Sequence, residues 1–197
     1  MHGTKTTSLA VKECDLLIAV GARFSDRVTC DTKTFAKGAK VLQIDVDRAE
    51  IDKNIKTAAH LVGDAKAVLA ALNERISQME HSLWMQQIAA WKAAYPLPQT
   101  TGETLTPQCV LEVLHKATHG DAIVTTDVGQ HQMWTAQYYS VNEPRHFITS
   151  GGLGTMGFGL GAAIGAQVAN PSATVINVTG DGCFHMNLNE LSTAAKE

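Results

Sequence analysis

Residues 15–22 read Asp-Leu-Leu-Ile-Ala-Val-Gly-Ala, an unbroken apolar run that ends on a glycine. Such a run suits a strand buried on both faces of a parallel sheet better than a hairpin strand with one wet face. Residues 41–46, Val-Leu-Gln-Ile-Asp-Val, repeat the pattern. A polar loop and a short weak helix separate the two, and residues 48–54 (RAEIDKN) read as a helical turn, which is the βαβ rhythm of an α/β layer. Working outward, Gly63-Asp64 opens an Ala/Leu-rich helix to about residue 72, with Asp64 placed as its N-cap. A helix over 81–95 sets Leu83, Ile88 and Trp91 on one broad side. The Pro/Gly/Thr-rich stretch 96–105 then marks a linker between a first part, 1–95, and a second, 106–197.

The second part repeats the rhythm. Thr106-Pro107 reads as N-cap and first residue of a helix through about 116, followed by a strand (122–127), a helix (130–139), a strand (145–149), a helix (156–170) and a strand (174–179). After Gly180-Asp181-Gly182 a final helix is expected from 187 to the end. The fold class is therefore α/β, with two partial parallel-sheet domains. Each part supplies only two or three strands, where open sheets usually hold about four to six. The chain is also expected to begin one short loop before a buried strand and to stop inside a helix, which reads as a fragment of a larger protein.

The 197 residues are 45% hydrophobic and 18% charged, with 16 Lys and Arg against 19 Asp and Glu for a formal charge of −3. That balance excludes a phosphate-coating nucleic-acid binder and a basic membrane-surface protein, and points to small molecules or protein as partners. Cys14, Cys30, Cys109 and Cys183 form no C-x-x-C pair, so neither a zinc site nor a disulfide framework is expected, and a reducing cytoplasm is the default. The N-terminus lacks the apolar stretch of a signal peptide. The longest weakly polar run, 156–169, is Gly-rich and short of the roughly 20 residues of a membrane span, so it is read as a buried helix.

Ligands of open parallel sheets bind beyond the carboxyl ends of the strands. Four such ends are unusual here. At 21–28 (GARFSDRV) a glycine admits a ligand to the backbone and Arg23 can reach a phosphate, with Asp45 and Asp47 at the next strand end, although a plain turn with solvated or Asp26-paired arginines reads equally well. At 127–134 (DVGQHQMW) Gly129, Gln130 and His131 start a helix and can hold an anion, against helix capping by Asp127 and a packed His131. At 150–161 the glycines let main chain pass against a flat ligand, or, with Gly159, Ala162, Ala163 and Gly165, give a smooth face for another helix. At 178–184 Asp181, between Gly180 and Gly182, can aim at a divalent cation that bridges to phosphates, or serve a simple Asp-Gly turn.

Together the strings GARFSDRV (21–28), QIDVDRAEIDKN (43–54), DVGQHQMWTAQYY (127–139), SGGLGTMGFGL (150–160) and GDGCFHMN (180–187), with Met1-His2-Gly3, resemble the catalytic large subunit of acetolactate synthase, a thiamine diphosphate enzyme. The similarity covers essentially the whole chain. It implies that 1–95 is the C-terminal half of a central domain that holds FAD in a structural role, with contacts at His2, Gly21, Ala22, Arg23, Phe24, Ser25, Asp45, Val46, Asp64 and Ala65. It implies equally that 106–197 begins the pyrophosphate-binding domain. There Gly129, Gln130 and His131 would hold the diphosphate, Asp181 the Mg²⁺, and Gly180, Gly182 and Cys183 the adjoining loop. Gly154 and Met156 would meet the aminopyrimidine, with Met156 as the apolar wedge that bends the cofactor.

The chain departs from the family's common pattern at Ser25 (often Asp), Gly161 (often Pro) and Cys183 (often Ser). The family's catalytic glutamate and its asparagine metal ligand fall outside these residues. The implied reaction is decarboxylation of pyruvate and joining of the two-carbon unit to a second 2-ketoacid, giving acetolactate or acetohydroxybutyrate for branched-chain amino acid synthesis. A homodimer or higher oligomer and a regulatory small subunit are implied partners. The remaining readings are another FAD-containing thiamine enzyme, of pyruvate oxidase or glyoxylate carboligase type, and an inactive truncated piece that acts only in association.

Overall fold

The computed structural model describes residues 3–98 and 105–196 and divides them into two compact units, Gly3–Leu97 and the part from Pro98 onward. His2 and most of the expected linker, residues 99–104, lie outside the described residues. Both units are α/β with one parallel sheet.

The first unit opens with helix α1 (Lys5–Glu13), where the sequence suggests only a loop. Its Thr4 side chain accepts the Thr7 N–H as N-cap, and its polar composition hides it from a hydrophobicity reading. Strand β1 (Leu16–Val20), short helix α2 (Asp26–Thr29), β2 (Lys40–Asp45), a 3-10 turn at Arg48–Glu50, β3 (Ala59–Val62), α3 (Ala65–Asn73) and α4 (Ser82–Ala94) follow. The sheet order is β1-β2-β3, with Leu16 opposite Lys40 and Leu42 opposite Ala59. Ala19, Phe24, Val41 and Ile55 form its core.

Two expectations need correction here. β1 is not buried on both faces: Leu16, Ile18 and Val20 are 51%, 51% and 40% exposed, because β1 is an edge strand whose packed side is the one carrying Leu17 and Ala19. β3 was not foreseen at all. Every one of its residues is exposed, so pairing with β2 rather than an apolar run defines it.

The second unit runs α5 (Pro107–Thr118), β4 (Ile123–Thr126), α6 (Gln130–Tyr138), β5 (Phe147–Thr149), α7 (Phe158–Ala169), β6 (Val175–Val178), α8 (Asp181–Met186), a 3-10 turn at Leu188–Glu190 and α9 (Leu191–Ala194). Thr106 caps α5 by accepting the Cys109 N–H, and Pro107 fills its first position. The order β5-β4-β6 puts β4 in the centre, where all four of its residues are buried. The expected final helix from 187 is present as the 3-10 turn and the short α9, and an additional helix, α8, starts earlier, at Asp181 immediately after Gly180. Two glycines bracketing an acid argue for a turn by propensity, and tertiary packing overrides it. α7 packs on β4, β5 and β6. At Gly165 of α7 an added Cβ would meet nothing within 4 Å, so no described residue packs against that position. No helix among the described residues is long and apolar enough to cross a membrane.

Candidate functional site

In the second unit a cleft of about 730 Å³ opens at the carboxyl ends of β4 and β6. Gly129, Gln130 and His131 at the start of α6, Met156 ahead of α7, and Gly180 to Cys183 at the start of α8 all line it. These residues come from three separate loops. The fourth wall is α5, whose Pro107, Val110, Leu111 and Leu114 recur at helical spacing and present one apolar face. That periodicity was readable in the sequence, but it marks a buried face without saying whether a core or a ligand covers it. Gly154 does not line the cleft, although a Cβ placed there would approach Val128 Cγ1 at 3.8 Å. A second cleft, against α7 and β6, is lined by aliphatic side chains such as Leu160, Ile164 and Val168 and by no titratable residue.

His131 is the centre of the polar side. Its ring lies against two glycines: a Cβ at Gly129 would fall 2.9 Å from His131 Cε1, and one at Gly180 would fall 3.0 Å from the same atom. A side chain at Gly129 would force the imidazole to shift, and one at Gly180 would crowd it. Its Nε2 is buried without a hydrogen-bond partner, and burial pushes the imidazole below its usual pKa, partly opposed by the nearby Asp127 carboxylate. A neutral imidazole with an unspent ring nitrogen in a cleft is a group waiting for a polar ligand.

Asp127 does not cap α6, contrary to one sequence reading. Its Oδ1 accepts the Gly159 N–H at 2.9 Å and its Oδ2 accepts the Thr179 hydroxyl at 2.7 Å. Thr125 extends the network by donating to the Gly159 carbonyl at 3.2 Å and lying 3.1 Å from Asn177 Oδ1. Thr126 and Gln132 both donate to Thr149 Oγ1, tying α6 to β4 and β5. Cys183 is buried, with its Sγ 3.3 Å from the Val128 carbonyl, so it and Gly182 belong to the first turn of α8 and not to a loop. Met156 is 44% exposed, and its Cε would lie 3.7 Å from a Cβ on Gly182, across the cleft from its own loop.

Asp181 is exposed at the first position of α8. Among the described residues no group of three or more His, Cys, Asp and Glu gathers as a metal site. A hard divalent cation at Asp181 would therefore draw its remaining oxygens from phosphate, water or backbone.

In the first unit the expected contacts fall on the carboxyl edge of one sheet, in the turns after β1, β2 and β3. Gly21 adopts a φ of +62° with open space where a Cβ would stand. Phe24 is 5% exposed and packs edge-on to Phe35 in the core. The Ala22 and Arg23 carbonyls accept from Gln43 Nε2 and Asn54 Nδ2. Ser25 is the N-cap of α2 by position, without a side-chain hydrogen bond to it. Asp45 accepts the Asp47 N–H, and Asp64 caps α3 by accepting the Ala67 N–H, with Ala65 as first helical residue. Val46 is 76% exposed.

Comparison with known proteins agrees in both units. A profile of the thiamine pyrophosphate enzyme central domain matches residues 1–72, and one of the C-terminal TPP binding domain of the same enzymes matches residues 127–197. The chain belongs to the thiamine pyrophosphate enzymes. Over its whole length it is 46% identical to acetolactate synthase 2, chloroplastic, of Nicotiana tabacum, covering 31% of that protein. It is 47% identical to acetolactate synthase isozyme 2 large subunit of Escherichia coli strain K12, covering 36% of it. A probable acetolactate synthase large subunit of Methanocaldococcus jannaschii is also 47% identical, with 35% covered. The chain thus spans about a third of the length of these relatives. The TPP domain match begins at Asp127 and takes in three walls of the cleft, leaving α5 outside it.

Proposed function

We propose that this chain is part of an acetolactate synthase catalytic subunit, and that its second unit holds the diphosphate end of thiamine diphosphate. The observation that carries the reading is a single cleft lined from three loops, by Gly129 to His131, by Met156 and by Gly180 to Cys183, with the buried His131 Nε2 left without a partner. The cradle fits the group: glycines where a Cβ would collide with His131, free N–H groups at the start of α6, and an apolar wall from α5. When bound, the thiazolium ring supplies the carbanion chemistry that joins pyruvate to a second 2-ketoacid.

The chain's own residues bind and orient. Gln130 and His131 donate to diphosphate oxygens, and Gly129 keeps the backbone low enough for them to approach. Asp181 anchors Mg²⁺ with one carboxylate. Met156, which lines the cleft, would serve as the apolar wedge, and Gly154, just outside the cleft lining, would meet the aminopyrimidine. The apolar face of α5 excludes water, which strengthens the charge interactions inside. In the first unit, Gly21 to Ser25, Asp45 with Val46, and Asp64 with Ala65 would hold FAD; Asp45 and Asp64 each accept one backbone N–H and keep acceptor capacity for a ligand. We further propose pyruvate and a second 2-ketoacid as substrates, a homodimer with a regulatory small subunit as assembly, and a reducing cytoplasm as location, in keeping with four free cysteines.

The test is calorimetric titration of the protein with thiamine diphosphate and Mg²⁺, paired with an acetolactate assay on pyruvate. Saturable binding that Asp181→Ala weakens by about tenfold or more, the scale of a lost charge-assisted contact, is expected. No binding by the unsubstituted protein would refute the cofactor site, and binding without acetolactate would move the reading to another thiamine enzyme or an inactive piece.

A further inference from the structure

One buried carboxylate in the second unit has no part in the cofactor contacts described above. Asp127 is 1% exposed at the end of β4, two residues before Gly129. Its two oxygens reach two other chain segments: Gly159 N at 2.9 Å, in the first turn of α7, and Thr179 Oγ1 at 2.7 Å, the residue preceding Gly180. One side chain thereby joins the three segments whose loops form the cleft. α7 receives no side-chain hydrogen bond from its own N-cap, Gly157, so Asp127 satisfies the helix start from a different element. Gly159 makes this possible, since a Cβ there would lie 2.7 Å from Asp127 Oδ2 and 2.5 Å from Asn177 Oδ1.

We propose that Asp127 is a positioning residue for the cofactor. Its carboxylate sets the loop carrying Gly154 and Met156 against the loop carrying Gly180 and Asp181, at the spacing one ligand must span. This rests on the reading of the cleft as a thiamine diphosphate site.

The experiment compares Asp127→Ala, Asp127→Asn and Thr179→Val for thiamine diphosphate affinity in the presence of Mg²⁺, with circular dichroism and thermal unfolding run alongside. Asp127→Ala should bind about tenfold more weakly, as loss of hydrogen bonds to a charged group requires. Asp127→Asn should stay within about threefold of the unsubstituted protein, because its amide carbonyl accepts from Gly159 and its NH₂ donates to Thr179. Unchanged affinity in Asp127→Ala, or a loss in Asp127→Asn as deep as in Asp127→Ala, overturns the proposal. So does a loss of affinity that merely parallels the fall in thermal midpoint across the three variants. Should Asp127→Ala fail to fold, Thr179→Val decides: it removes one of the two bonds at similar volume and should weaken binding by about fivefold, and unchanged affinity overturns the proposal. Failure of the unsubstituted protein to bind at all counts against the cofactor reading and leaves wild-type and variant proteins alike, which separates the two failures.

Discussion

At the scale of single residues, His131 carries a consequence for pH. Burial lowers its pKa from the ordinary imidazole value of about 6.5, and the Asp127 carboxylate only partly opposes the shift. The folded state therefore prefers the neutral ring. Above about pH 6.5 the histidine is neutral in folded and unfolded chains alike and the preference costs nothing. As pH falls below that value the unfolded chain takes up the proton first, so stability is lost until the folded pKa is passed. The second unit is expected to melt at lower temperature as pH drops from about 6.5, and His131→Asn should flatten part of that slope. Thermal unfolding of both proteins across pH 5 to 8, compared as a difference, checks it, and parallel curves would show that the ring's burial does not bear on stability. Bound diphosphate should reverse the sign, because an anion beside Nε2 favours the charged ring.

At the scale of elements, α7 shows how one residue type serves two purposes on one helix. A Cβ at Gly165 would meet nothing within 4 Å, whereas one at Gly159 would strike Asn177 Oδ1 and Asp127 Oδ2. Gly165→Ala should stabilise the second unit by about 0.5–1 kcal/mol through helix propensity and lost freedom of the unfolded chain. Gly159→Ala should destabilise it by about 1–3 kcal/mol, since buried polar groups must move to admit the methyl. Urea unfolding of the two variants gives the signs directly, and the same sign for both would contradict the packing described. The glycines themselves were legible in the sequence, and so were β1, β2, β4, the caps at Asp64 and Thr106, and the loops that meet in the cleft. What distinguishes Gly159 from Gly165 was not, because it depends on a carboxylate 32 residues away. Elements defined by partners rather than by their own pattern escaped for the same reason: β3 exists through its pairing with β2, α1 is too polar to announce itself, and α8 begins on a Gly-Asp-Gly that propensity assigns to a turn.

At the scale of the molecule, each unit builds a sheet of three parallel strands, and each sheet leaves edges among the described residues. All-parallel sheets ordinarily have both faces covered, since their strands are apolar on both sides. In the first unit the strip Leu16, Ile18 and Val20 stands on the edge strand β1 with half or nearly half of each residue's surface open. Unpaired strand edges flanked by aliphatic side chains invite pairing with another chain. This chain alone should therefore associate in a concentration-dependent way. Ile18→Lys places a charge in the middle of that strip, where it stays solvated in the single chain and is buried only on association, so association should weaken while the fold of the unit persists. Sedimentation velocity over a hundredfold range of concentration, with circular dichroism as the control for folding, reads both. A protein that sediments as a monomer throughout, or an Ile18→Lys variant that associates as strongly as its parent, would mean that the open face of β1 is not the surface through which copies meet.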